Sequence, residues 1–216
     1  MRRSSSRLLG LLLGVFGAAA CVSKPPLGSQ IFSIDPPPIT TKTVAPGARV
    51  VSVDRVEVAP EVAGRSLTYR IGPHSFERDP YAVLAASPRD LVLSLLRTSL
   101  DNADFVQEVV DIGGPIAPDV LVEAYVNALE GDFTVKDKPV AVVGLELMVF
   151  ASPPPPEPVS PVLRKAYVRR LPLSEKTASA VANAWNQALT DAVAEFLTDM
   201  KAALPPPTAK PPGATR

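Results

Sequence analysis

Cysteine, histidine and tryptophan each occur once in the 216 residues, as Cys21, His74 and Trp185. A lone cysteine has no partner for an intramolecular disulfide. With only one histidine beside it, the chain lacks the several nitrogen and sulfur ligands that a zinc site of the common kind needs. No Gly-x-x-x-x-Gly-Lys-Ser/Thr stretch occurs, so the usual phosphate-cradling loop is missing and any use of ATP belongs to a partner. A Gly-x-Ser-x-Gly elbow is missing too. No later segment is uniformly apolar over the roughly 20 residues that crossing a hydrocarbon core takes, which excludes a polytopic membrane protein. Charge of one sign is not in excess either: 22 basic side chains face 22 acidic ones. The basic patch or stripe of a nucleic-acid-binding protein is therefore not expected.

Two things are present in quantity. Proline makes up 25 of 216 residues, well above its usual share of about 5%, and most of it is clustered. The other is an amino-terminal pattern: Arg2, Arg3 and Arg7, then an apolar run from Leu8 to Ala20 that ends in three alanines. That is the layout of a secretory signal peptide, residues 1–20. The run Ala18-Ala19-Ala20-Cys21 is similar to the bacterial lipobox, with Ala18 where leucine is usual. Cleavage there would leave Cys21 as the first residue, a lipid-attachment site. Acylation removes the hazard of an unpaired thiol in an oxidising compartment, and two or more chains anchor a protein stably where one does not. Losing residues 1–20 removes three basic groups and no acidic one, leaving 19 against 22 and a net charge of about −3.

The proline clusters divide the rest. Residues 21–46 read as a lipidated, Pro-rich tether, extended at about 3.1 Å per residue. Ile31, Phe32 and Ile34 interrupt it and are expected to dock as an edge strand. Residues 152–161, SPPPPEPVSP, form a rigid connector, a polyproline ligand being the alternative reading. Residues 205–216 have nothing to bury and are expected to be disordered. Between these lies one domain, residues 47–204, large enough for a real core.

Within the domain, residues 48–58 read as a valine-rich strand whose apolar phase shifts between Val53 and Val56, the mark of a bulge. Leu67, Tyr69 and Ile71 alternate with Thr68 and Arg70 as in a half-buried strand. Ser87-Pro88-Arg89-Asp90 supplies an N-cap hydroxyl, a first-turn proline and an acid, predicting a helix over 88–102. Its stripe of Val92, Leu95, Leu96 and Ser99, flanked by Leu91, Leu93 and Leu100, implies heavy burial. Strands are predicted over 105–111, 118–130, 139–151 and 161–171, with turns at Gly113-Gly114 and Glu130-Gly131-Asp132. In the second of these, Val120, Val122, Ala124, Val126 and Ala128 share the core face. The last, with Arg164, Lys165, Arg169 and Arg170, reads as a charge-protected edge. A long helix over 174–203 carries Val181, Trp185, Ala188, Ala192, Phe196 and Met200 on one face. The order of elements has one helical crossover, so the expected fold is α/β: a mixed sheet of about five to six strands with helices packed on it.

Several stretches resemble one family in order. Phe32-Ser33-Ile34-Asp35-Pro36 resembles the Tyr-x-Leu-x-Pro entry of the ABC-type transport auxiliary lipoproteins, the family of the paraquat-inducible lipoproteins. The valine strand 50–58, Leu67-Thr68-Tyr69-Arg70 and Tyr81-Ala82-Val83-Leu84-Ala85-Ala86-Ser87-Pro88 follow. Where the family has Tyr-x-Arg-Trp-x-x-Pro-Pro, this chain has Val83, Leu84 and Ser87 in place of the arginine, the tryptophan and the first proline, which marks a divergent member. The resemblance runs over about residues 31–203. It implies a three-layer mixed sheet similar to the N-terminal domain of TolB, and a subunit rather than an enzyme. It also implies partners: an ATPase, a permease and an MCE-type periplasmic protein, in an assembly that moves lipids or other apolar compounds between the inner and outer membranes. Self-association into a ring of identical subunits fits the same role, and Val22 rather than aspartate after the cysteine implies the periplasmic face of the outer membrane.

Candidate chemistry is thin. His74-Ser75 offers a base beside a nucleophile, but adjacent strand residues face opposite sides. Asp54, Glu57 and Glu61 are close enough in sequence to pair, yet they read as the solvated face of a valine strand. No catalytic, metal-binding or cofactor-binding residue is assigned. The subunit reads as a lipid-anchored adaptor that holds or caps a transport conduit by protein contacts, and this stands beside two others: a carrier enclosing a lipid between sheet and helix, and an outer-membrane assembly or secretion lipoprotein unrelated to lipid traffic.

Overall fold

The computed structural model describes residues 28–152 and 160–205. Eight strands and two helices follow one another as β1 (Gln30–Phe32), β2 (Arg49–Val58), β3 (Ser66–Gly72), β4 (Ser75–Leu84), α1 (Pro88–Asp101), β5 (Val106–Val109), β6 (Val120–Asp132), β7 (Val140–Ala151), β8 (Leu163–Pro172) and α2 (Ala178–Ala203). The α/β class is as expected, and the single mixed sheet is larger than the five to six strands anticipated.

Strand β6 organises the sheet. Antiparallel β7 runs along one edge, from Val120↔Ala151 to Asp132↔Val140, and β8 adds to β7. The other edge is shared in sequence: parallel β2 pairs with residues 120–126, and beyond the break at Ala59–Arg65, β3 pairs with Gly131 and Asp132. β5 extends β2 in parallel, while β4 and then β1 extend β3. β1 and β8 are edge strands, as their sequences suggested. The bulge expected in β2 lies between Val53 and Arg55.

Both helices start where a hydroxyl caps them. In α1 the Ser87 side chain accepts from the Asp90 N–H at 3.2 Å, while its own hydroxyl donates to Asp90 Oδ2 at 2.6 Å. In α2 the Thr177 hydroxyl accepts from the Ala180 N–H, so this helix begins four residues later than predicted. α1 buries Leu91, Val92, Leu95, Leu96, Ser99 and Leu100, and α2 buries Val181, Trp185, Ala188, Leu189, Ala192, Phe196 and Met200. α1 packs on β2 and β5, α2 on β6, β7 and β8, and the helices touch each other. They therefore share one face of the sheet and form a single helical layer.

Three further expectations are corrected. Residues 75–84, assigned no element from sequence, form β4, hairpinned to β3 through Pro73-His74. Glu130-Gly131-Asp132 is no turn but the buried end of β6: a Cβ on Gly131 would sit 3.0 Å from the Tyr69 ring and 3.1 Å from Val181 Cγ2, so only glycine lets β3 and α2 close over it. A second bulge, between Val126 and Ala128, shifts the phase of β6, and Leu129 replaces Ala128 as the buried residue.

The proline-rich segment after β1 lies along the helical layer. Its prolines lack N–H groups for a ladder, and two asparagines substitute side-chain amides. Asn186 of α2 accepts from the Asp35 N–H at 2.8 Å and donates to Ser33 O at 2.8 Å. Asn102, the C-cap of α1, accepts from the Thr40 N–H at 3.0 Å and donates to Pro38 O at 2.9 Å. Between them Ile34 is 2% exposed, part of the core.

Candidate functional site

The head of β6 gathers charge into a buried place. Glu130 and Asp132 are 4% and 8% exposed. Arg70 of β3 grips Glu130 through Nε–Oε1 at 2.6 Å and Nη2–Oε2 at 3.3 Å, and its guanidinium lies 4.4 Å from the Phe76 ring centroid. Arg170 of β8 donates to Asp132 Oδ2 at 2.7 Å, and the Thr134 hydroxyl donates to Oδ1 at 2.6 Å. Burial alone would raise the pKa of Asp132, but the bonds from Thr134 and Arg170 outweigh it and hold the carboxyl below its ordinary value. Tyr69 stacks on Phe133 at 5.0 Å and donates to Asp79 at 2.8 Å; burial, then that bond, pushes its phenol well above the usual value. Glu130 and Asp132 each have their cation, so the pair of bridges is a lock that ties β3 and β8 to β6.

A second network ties β8 to α2. Lys165 donates to Glu195 at 2.8 Å and Asp199 at 2.7 Å, Tyr167 donates to Asp199 at 2.8 Å, and Arg169 pairs with Glu195. The bonds from Lys165, then those from Arg169 and Tyr167, hold both carboxyls below their ordinary range. The basic edge strand is thereby neutralised by its own neighbours, Arg164 included, which meets Glu146 at 2.5 Å.

The residues singled out from sequence do not converge. His74 and Ser75 are exposed at the β3–β4 turn, and no hydrogen bond joins their side chains among the described residues. Asp54, Glu57 and Glu61 are exposed; Glu57 meets only Arg55, at 3.4 Å. Among the described residues, no group of three or more histidine, cysteine or acidic side chains could hold a metal ion. No described helix is long and apolar enough to cross a membrane. Cys21 lies outside the described residues, as do residues 1–20, 153–159 and 206–216.

What the fold leaves available is the face of the sheet turned away from the helices. Register aligns Leu121 with Phe150, Glu123 with Met148 and Tyr125 with Glu146, and β8 continues the rows with Arg164 and Ala166. Leu121, Tyr125, Met148 and Phe150 are half-buried and Val168 is 54% exposed, with Glu123, Glu146 and Arg164 interspersed. Apolar rows interleaved with charge are a surface suited to protein contact. Sequence alternation showed this mixed face in β6; its continuation across β7 and β8 needed the register.

The fold is similar to the crystal structure of protein XCC0632 from Xanthomonas campestris, at TM-score 0.67 and 18% identity over 81% of this chain and 96% of that one. It is also similar to the crystal structure of an uncharacterized protein, at TM-score 0.62 and 11% identity over 80% and 99% of the two chains. No match was found among curated proteins. Residues 32–196, from the first core-facing aromatic of β1 to the buried Phe196 of α2, match the family described as the ABC-type transport auxiliary lipoprotein component, and the chain belongs to that family.

Proposed function

We propose that the protein is a lipid-anchored adaptor subunit of an ABC/MCE-type transport system, held at the periplasmic face of the outer membrane through acylated Cys21. In this role it joins an ATPase, a permease and an MCE-type periplasmic protein in moving lipids or other apolar compounds between the two membranes. The family is a transport auxiliary component and not an enzyme family, and the small-residue run before Cys21 supports acylation. One observation favours adaptor over carrier: the apolar stripe of α2, from Val181 to Met200, is consumed by packing on the sheet, with Trp185 and Phe196 at 1% and 0% exposure. The space between helix and sheet in which a carrier would wrap an acyl chain is occupied by these buried side chains. The surface that remains for a partner is the open sheet face.

Photo-crosslinking from Met148 in native membranes tests the reading. Adducts with an MCE-type protein or the permease are expected. Stoichiometric phospholipid in an organic extract of the purified protein would replace the adaptor with the carrier, and adducts only with outer-membrane assembly proteins would remove lipid traffic from its role.

A further inference from the structure

The docked amino-terminal segment places a limit on how far the fold can sit from its anchor. Between Cys21 and Gln30, the first residue of β1, stand eight residues, 22–29. Fully extended, they allow about 30 Å between the two Cα atoms. The fold is larger than that: β6, at 13 residues, runs about 43 Å, and α2, at 26 residues, about 39 Å. With Cys21 acylated, a leash shorter than the body it holds brings the β1 edge close to the lipid surface.

That edge is apolar on its outer face. Phe32 and Ile34 point into the core, which turns Ile31 outward to 67% exposure. Ile31 pairs with Val83 on β4, and Tyr81, two residues along the same face, is 48% exposed. Asp79 fixes Tyr81 in place, its Oδ1 accepting from the N–H groups of Tyr81 and Ala82 at 2.8 and 2.9 Å. The leash carries one charged side chain, Lys24, and no acid, so nothing in it opposes anionic headgroups. Tyrosine with an aliphatic neighbour suits the boundary between headgroups and acyl chains, one end of the phenol apolar and the other wet. Among the described residues β1 pairs only with β4, which leaves its outer backbone groups to headgroups and water, partners that an interfacial depth supplies and a hydrocarbon core does not.

We infer that the β1–β4 edge, through Ile31, Val83 and Tyr81, seats against the headgroup–acyl boundary of the bilayer that holds the anchor. This second, non-covalent contact fixes the orientation of the domain. The inference rests on acylation of Cys21, and the test separates the two. Acylation takes the only native sulfur of cysteine, so in Ile31→Cys the introduced thiol is the only one free to carry a nitroxide. The mature lipoprotein is placed in vesicles of phosphatidylethanolamine and phosphatidylglycerol, and relaxation by oxygen and by a water-soluble nickel chelate is measured. Val168→Cys is the control, on the same sheet face but at the opposite edge, five strand spacings or about 24 Å away. A several-fold lower nickel accessibility at position 31, with oxygen accessibility raised, is expected. Equal nickel accessibility at the two positions overturns the membrane contact while leaving the anchor intact. Shielding of position 31 from both relaxants also overturns it, because a protein then covers the edge. A wild-type chain whose Cys21 itself takes the label overturns the anchor, and the contact with it.

Discussion

At the scale of single residues, the most telling positions are polar ones whose partners lie far away in sequence. Arg70 meets Glu130 across sixty positions, and without it Glu130 would keep a buried, uncompensated charge. Arg70→Ala is expected to cost about 3–5 kcal/mol in urea unfolding, while the Arg70→Met, Glu130→Leu pair should recover most of that loss. Gly131→Ala is expected to destabilise by about 1–3 kcal/mol, since the added methyl meets Tyr69 and Val181 at 3.0–3.1 Å in an already packed layer. Neither role was legible beforehand. Glu130-Gly131-Asp132 has the composition of a turn, and only pairing with β7 and β3 makes it strand. Trp185 was legible, because its burial follows from helical spacing alone; its indole N–H donates to Glu130 O at 3.3 Å, and Trp185→Ala should cost about 3–5 kcal/mol.

Elements show the same division between local and distant causes. The first helix could be read to within a residue because Ser87, Pro88 and Asp90 set its start through bonds within four residues. β4 was invisible: Ser75–Leu84 alternates poorly and contains Pro80, and only its last residues face the core. The contact between α2 and β8 gives a pH dependence. Glu195 and Asp199 titrate below the ordinary carboxylate range when folded, so their stabilisation is complete above about pH 4.5, the unfolded values, and drains away as pH falls through the lowered ones. Urea midpoints should fall from pH 6 to pH 3, and Glu195→Gln should flatten that fall. The strap from Ser33 to Ala45 rests on Asn186 and Asn102. Asn186→Ala is expected to speed hydrogen exchange at the Asp35 N–H at least several-fold, with a global cost of only about 1 kcal/mol.

For the whole molecule, the sheet class and the edge placement of β1 and β8 followed from periodicity and charge, while the number of strands and the side taken by the helices did not. Those depend on which strand pairs with which, and the alternation of one strand carries no information about its neighbours. The anchor also belongs to this scale. Cys21→Ser is expected to move the protein out of the membrane fraction in high salt without changing its thermal midpoint, as fractionation and calorimetry would show.

The shared edge of β6 has a consequence in time. Val51 finds its partner Val120 only after sixty-nine further residues have been made, so the valine-rich β2 leaves the ribosome well before the strand that will cover it. Pairing across such a span closes slowly. Until β5 and β6 emerge, that early segment leaves its ladder groups unpaired, and its solubility during biogenesis is decided by neighbours not yet synthesised.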